Sequence, residues 1–122
     1  MAKMIVEMWQ TNLGISVEIE IAAVTEYPNR FAASPPDIYQ LGWVADYNDP
    51  DNFLNALFQS SSEGNHGHFS NEEFDRLVEQ AAQLTDPEQR LLLYIQAERI
   101  LTEQEAAIIP LYHSYRPTPY AF

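Results

Sequence analysis

Apolar residues recur at helical spacing near the start of the chain, where Met4, Ile5, Met8, Trp9 and Leu13 fall on one stripe. This predicts an amphipathic helix over 3–13. Gly14 suits the position just past its last turn, where a left-handed residue carries no side-chain penalty. The pattern then switches to period two. Ile15, Val17, Ile19 and Ile21 point one way while Ser16, Glu18 and Glu20 point the other, which predicts a half-buried strand over 15–21. Thr25 is a candidate cap for a short helix over 26–33 with Pro28 in its first turn, and Ser34-Pro35-Pro36 stops it. A second strand is expected from Ile38 to Val44, weakened by Gly42.

The second half reads mainly as helix. Asp49 and Pro50 look like the cap and first residue of a helix carrying Phe53, Leu54, Leu57 and Phe58. Residues 59–69 form a polar loop. Ser70 with Glu73 has the spacing of a capping box, and the helix it opens places Phe74, Leu77, Val78 and Ala81 on one face. Asp86-Pro87 opens another helix, with Gln89 at its third position, running to about residue 104. It should bury some of Leu91, Leu92, Ile95, Ala97, Ile100 and Leu101. Ala107 to Tyr115 reads as a last strand, interrupted by Pro110, which confines it to an edge or a strand end. The element order implies an α/β layer, with helices covering a small sheet of about three strands.

Charge narrows the function classes. The chain has 122 residues with a formal net charge of −12, and both halves are acidic. Such a field repels phosphate backbones and anionic lipid. Lys3 is the only lysine and the arginines are scattered, so no basic stripe exists to grip nucleic acid. There is no cysteine, which excludes disulfides, thiol catalysis and thiolate zinc sites. No apolar run is long enough to span a membrane. The opening Met1-Ala2-Lys3 leads at once into Glu7, Gln10 and Asn12 and does not read as a signal peptide.

The segment richest in chemistry runs from Gly42 to Phe53, just past the second expected strand, where open α/β sheets place ligand sites. It offers an indole (Trp43), a phenol (Tyr47) and the carboxylates of Asp46, Asp49 and Asp51. These groups suit a ligand with a positive end and an apolar part. The same residues also read as turn and cap chemistry around a core tryptophan. His66 and His68 could join Glu63 at a metal, but no third ligand is set by pattern, and plain loop polarity accounts for them. His113 reads as structural. Asp46 and Asp49 could be imagined as the acid and base of a hydrolase, yet no positioned nucleophile, phosphate loop or nucleophile elbow accompanies them. No metal and no cofactor is expected.

The Gly42-to-Phe53 segment resembles the Gly-Trp-x-Ala-Asp-Tyr-x-Asp/Glu-Pro-x-x-Phe-Leu stretch of the extracytoplasmic oligopeptide- and dipeptide-binding proteins of ABC importers, solute-binding protein family 5. Met8-Trp9 through Leu13-Gly14-Ile15-Ser16-Val17 is similar to that family's Met-Trp-Lys-x-Asn-Leu-Gly-Ile-x-Val. Phe69-Ser70-Asn71-Glu72-Glu73-Phe74-Asp75 resembles Tyr-Ser-Asn-Pro-Glu-Tyr-Asp. Asp86-Pro87-Glu88-Gln89-Arg90 with Tyr94 and Ala97-Glu98 resembles Asp-Pro-x-x-Arg-x-x-x-Tyr-x-x-Ala-Glu, and Ile108-Ile109-Pro110-Leu111-Tyr112 resembles Ile-Ile-Pro-Leu-Tyr. Each piece alone is weak; five in order, over nearly the whole chain, are specific.

The resemblance implies a periplasmic-binding-protein-like type II fold. Residues 1–122 would be a partial C-terminal lobe, a single domain truncated at both ends, with a small mixed sheet covered by helices. It implies a periplasmic or extracellular, non-enzymatic receptor that closes two lobes on an extended peptide and docks on ABC permease subunits, its full-length parent a candidate membrane-anchored lipoprotein. Asp46 would pair with the peptide's α-amino group and Trp43 would wall side-chain pockets. Backbone groups of Gly42, Trp43, Val44 and Ala45 would bond the peptide as an added strand, and Tyr47 and Asn48 would shape the loop. Relatives of this fold take nickel complexes, haem or sugars, so a non-peptide solute is the alternative. Without the N-terminal lobe, a homodimer or a structural module without ligand activity is the other. The stretch between Ile21 and Asp37, with its prolines, departs from the family pattern.

Overall fold

A computed structural model describes residues 1–27, 29–30, 34 and 36–113. The chain divides into two compact units, Met1–Gln40 and Leu41–Phe122.

In the first unit, helix α1 spans Ala2–Leu13 and ends at Gly14, whose φ of 70° is the left-handed geometry expected of it. The Gly14 amide donates to the Gln10 carbonyl at 3.2 Å, and Asn12 Nδ2 donates to the Met8 carbonyl at 2.8 Å. Ile5, Val6 and Trp9 are half-buried, while Met4, Met8 and Leu13 are exposed, so only part of the apolar stripe is covered. A 3-10 turn at Val24–Glu26 opens the region where a short helix was expected, and Tyr27, Asn29 and Arg30 are helical. Pro28 and 31–33 lie outside the described residues. Arg30 pairs with Glu20 and with Glu26, tying the turn to the extended segment before it.

The three expected strands are absent among the described residues, and with them the small mixed sheet. Residues 15–21, 38–44 and 107–113 are extended or irregular without ladder pairing; 114 and 115 lie outside the described residues. The reason is physical. A helix closes its hydrogen bonds within its own segment, but a strand exists only against a second backbone. Ile21, Ile38 and Val44 are accordingly 84%, 62% and 70% exposed.

The second unit is helical. Helix α2 spans Asp51–Phe58, α3 spans Glu72–Gln83 and α4 spans Pro87–Arg99, running on as a π-helical turn over Ile100–Gln104. Spacing by three and four puts Phe74, Leu77, Val78 and Ala81 on one face of α3, and all four are buried. They meet Leu54 of α2, Tyr94 and Ala97 of α4, and Ile100 and Leu101. Phe69 packs edge-on against Phe74, with ring centroids 5.2 Å apart. On α4 the buried set differs in part from expectation. Ala97, Ile100 and Leu101 are inside, joined by Tyr94, whereas Leu91, Leu92 and Ile95 face outward.

Helix starts follow side-chain chemistry, with two offsets of one residue. Asp86 accepts from the amides of Glu88 and Gln89, with Pro87 after it and Gln89 third, the start read from the sequence; Gln89 Nε2 also donates to Asp86 Oδ2. For α3 the cap is Asn71, not Ser70: Asn71 Oδ1 accepts from the Phe74 amide at 3.0 Å. Ser70 instead sits beside Ser60, their hydroxyls 3.3 Å apart. Pro50 occupies the cap position of α2, and the Asp49 carboxylate accepts from the Asp51 amide. The loop between α2 and α3 is organised by buried Asn65, which bonds the Gln59 carbonyl and both backbone polar groups of Phe69. A side chain at Gly64 would run into the Ala56 carbonyl, so only glycine fits there.

Candidate ligand-binding loop

Residues 42–48 lead into α2 and carry every site residue expected from the sequence. Trp43 is 44% exposed, Val44 is 70% exposed, and Gly42, Asp46 and Asn48 are exposed as well; Ala45 is half-buried. A Cβ placed on Gly42 would meet nothing within 4 Å. Among the described residues, the backbone N–H and C=O groups of 42–45 have no hydrogen-bond partner.

What holds this loop is Asn52, in the first turn of α2. Its side chain is buried, and Oδ1 accepts from the Trp43 indole N–H at 2.8 Å and from the Asp46 amide at 3.0 Å. Trp43 is therefore neither a core residue nor a free one: its polar edge is tied down while much of the ring stays in solvent. Tyr47 donates its hydroxyl to Asp51 Oδ2 at 2.6 Å. That bond to a carboxylate stabilises the protonated phenol and raises its pKa, with the Asn52 side chain opposing. Asp46 is left with its carboxylate outward, while its own amide is the group that Asn52 holds.

The other two carboxylates do structural work. Asp49 gives one oxygen to the Asp51 amide and the other to the Arg90 guanidinium of α4. Asp51 Oδ1 accepts from Asn55 and from the hydroxyl of Tyr94, which in turn accepts from Arg90 Nη2 at 3.1 Å. Arg90 also donates to the Ala81 carbonyl at the end of α3 and lies 5.3 Å from the Tyr94 ring centre. Burial is the main cause pushing the Tyr94 phenol up to about 12. The two stretches Asp49-Pro50-Asp51-Asn52 and Arg90-to-Tyr94 are thus one assembly that fixes α2 on α4. Sequence reading placed both in family-like motifs but did not join them. The available signal was the spacing of Arg90 and Tyr94, one turn apart on one helix face.

Asp49, read from the sequence as one half of a conceivable acid–base pair with Asp46, has both oxygens engaged in structural bonds, to the Asp51 amide and to Arg90. Among the described residues no three His, Cys, Asp or Glu side chains come together to hold a metal ion, and no helix is long and apolar enough to cross a membrane.

Residues 1–65, which include the whole loop and α2, match the family model described as bacterial extracellular solute-binding proteins, family 5 middle. The chain belongs to this family. It is 33% identical over 109 residues to the periplasmic oligopeptide-binding protein OppA of Salmonella typhimurium, covering 89% of this chain and 20% of that protein. It is 35% identical over 116 residues to heme-binding protein A of Haemophilus influenzae, covering 93% of this chain and 21% of that one. Among solved structures, the Escherichia coli murein tripeptide binding protein MppA superposes with a TM-score of 0.79 at 32% identity, covering 86% of this chain and 20% of that one. The chain therefore spans about a fifth of the length of these relatives and shares the fold of a segment of their type II binding-protein architecture. The family is one of binding proteins.

Proposed function

We propose that this chain supplies part of the C-terminal lobe of a peptide-binding receptor serving an ABC importer, and that the loop from Gly42 to Asn48 is one wall of its ligand site. The observation that carries this is the exposed Asp46 carboxylate beside a half-exposed Trp43 on a loop anchored from beneath. A carboxylate there pairs with the α-ammonium of a peptide, and the indole packs on its side chains. The unpartnered backbone of 42–45 suits addition of the peptide as an extended strand. Tyr47 and Asn48 shape the loop. The receptor binds without chemistry, lies in the periplasm or outside the cell, closes a second lobe over the peptide and then docks on permease subunits. Similarity to a haem-binding relative favours a second reading, in which an apolar non-peptide solute occupies the same wall.

Calorimetry on the receptor carrying this segment separates the readings. Tri-alanine with a free amino terminus should bind, N-acetyl-tri-alanine should bind at least about tenfold more weakly, and Asp46→Ala should lose the discrimination, since a charge-assisted bond contributes about 1.5–3 kcal/mol. Equal affinity for both peptides in the unmodified receptor defeats the amine-pairing role. Haem binding in place of either peptide establishes the second reading.

A further inference from the structure

We propose that Asn52 is the positioning residue of this ligand wall, setting the directions of Trp43 and Asp46 through one buried oxygen. The inference rests on the reading of those two residues as ligand-facing. Asn52 is 3% exposed, and its Oδ1 receives two donors from points three residues apart along the loop. The loop is thereby closed on itself between 43 and 46. It has no other anchor in this stretch, since the backbone of 42–45 has no hydrogen-bond partner among the described residues and Val44 is turned to solvent. The anchor point is itself rigid. Asn52 sits on the first turn of α2, and its neighbours Asp49 and Asp51 lock that turn to Arg90 and Tyr94 of α4. A donor at position 52 would repel both N–H groups, and an apolar residue would leave both unpaired; only a short side chain ending in an acceptor serves. The group that touches solute is chosen at 43 and 46, and its aim is chosen at 52.

Hydrogen exchange on the 122-residue chain tests the geometry without any ligand. In the unmodified chain the Trp43 indole N–H and the Asp46 amide should exchange about tenfold or more slowly than the Val44 and Ala45 amides, as one intact hydrogen bond gives. Equal rates at all four overturn the proposal whether or not any variant folds. Asn52→Leu should abolish the protection of both groups while the Phe74 and Val78 amides stay protected; Asn52→Asp, which keeps the acceptor, should retain it. Loss at the core together with the loop in Asn52→Leu, or retention at the loop, counts against a positioning role. In the receptor carrying this segment, Asn52→Leu should weaken tri-alanine binding about tenfold or more, with Asn52→Asp restoring most of it. If Asp46→Ala abolishes binding and Asn52→Leu does not, positioning fails and the peptide reading stands. If neither variant matters, the peptide reading itself has failed.

Discussion

Tyr94 is the residue at which burial, electrostatics and architecture meet. Its ring lies in the core of the second unit, 2% exposed, and its hydroxyl stands between Arg90 and Asp51. Burial disfavours the phenolate, which raises the folded pKa to about 12, against about 10 for an unfolded tyrosine. The sign follows from linkage. Below pH 10 both states hold the proton and Tyr94 gives no pH dependence. Between about 10 and 12 the unfolded chain loses its proton first, so stability falls as pH rises through that window. Urea melts at pH 9 and pH 11 should show this loss, and Tyr94→Phe should flatten its share of the slope while costing about 1 kcal/mol at pH 8 for the missing hydroxyl bonds. An unchanged slope in Tyr94→Phe removes this residue from the account. Nothing in the local sequence marked Tyr94 as core rather than surface, because tyrosine stands on helix faces of both kinds; only the partners at Asp51 and Arg90 decide it.

At the scale of elements, the helices were legible and the strands were not, for one reason. Asp86-Pro87 and Gly14 are signals whose partners lie within four residues, so sequence carries both halves of each interaction, and the apolar face of α3 is legible because its spacing is written within one segment. Ser70 and Asn71 are both competent caps, each with an amide three residues on, so spacing alone could not rank them; the bond that forms runs from the Phe74 amide to Asn71. The alternation of 15–21 is as clear as any helical pattern, but its partner backbone is not written in the segment. The same distinction explains the bridge from α2 to α4. Asp49 and Arg90 are 41 residues apart; Asp49 looked like ordinary helix-start chemistry, and Arg90 stood only as one position of a family-like motif. Their side chains are about a quarter exposed, so solvent screens the pair only in part. A double-mutant cycle of Asp49→Ala and Arg90→Met should give a coupling of about 1 kcal/mol, above the few tenths usual for exposed pairs. A coupling near zero would mean that Tyr94 and the Ala81 carbonyl, not Asp49, hold Arg90 in place.

For the whole molecule, two opposing surface properties make an association prediction. Leu91, Leu92 and Ile95 stand outward on α4, and Ile109, Leu111 and Tyr112 follow on the segment after it, each 42–63% exposed. On the first unit Met4, Met8 and Leu13 are exposed as well, at 60–66%. Apolar surface of this extent favours contact with another apolar surface, and a second copy of the chain offers one. The net charge of −12 opposes contact between copies. Charge repulsion between surfaces is screened over about 10 Å at 0.1 M salt, whereas apolar contact is not weakened by salt at that level. Self-association of the 122-residue chain should therefore increase from 10 mM to 500 mM sodium chloride, the reverse of what an interface built on ion pairs would do. Sedimentation velocity across that range reads the trend directly, and Leu92→Glu with Ile95→Glu should suppress it by placing charge within the α4 patch. A chain that stays monomeric at every salt concentration would show that these side chains are tolerated in water. Association that weakens with salt would instead place the contact on charged groups, moving attention from the α4 face to the few cations, Arg76 and Arg99 among them, that an acidic copy could reach.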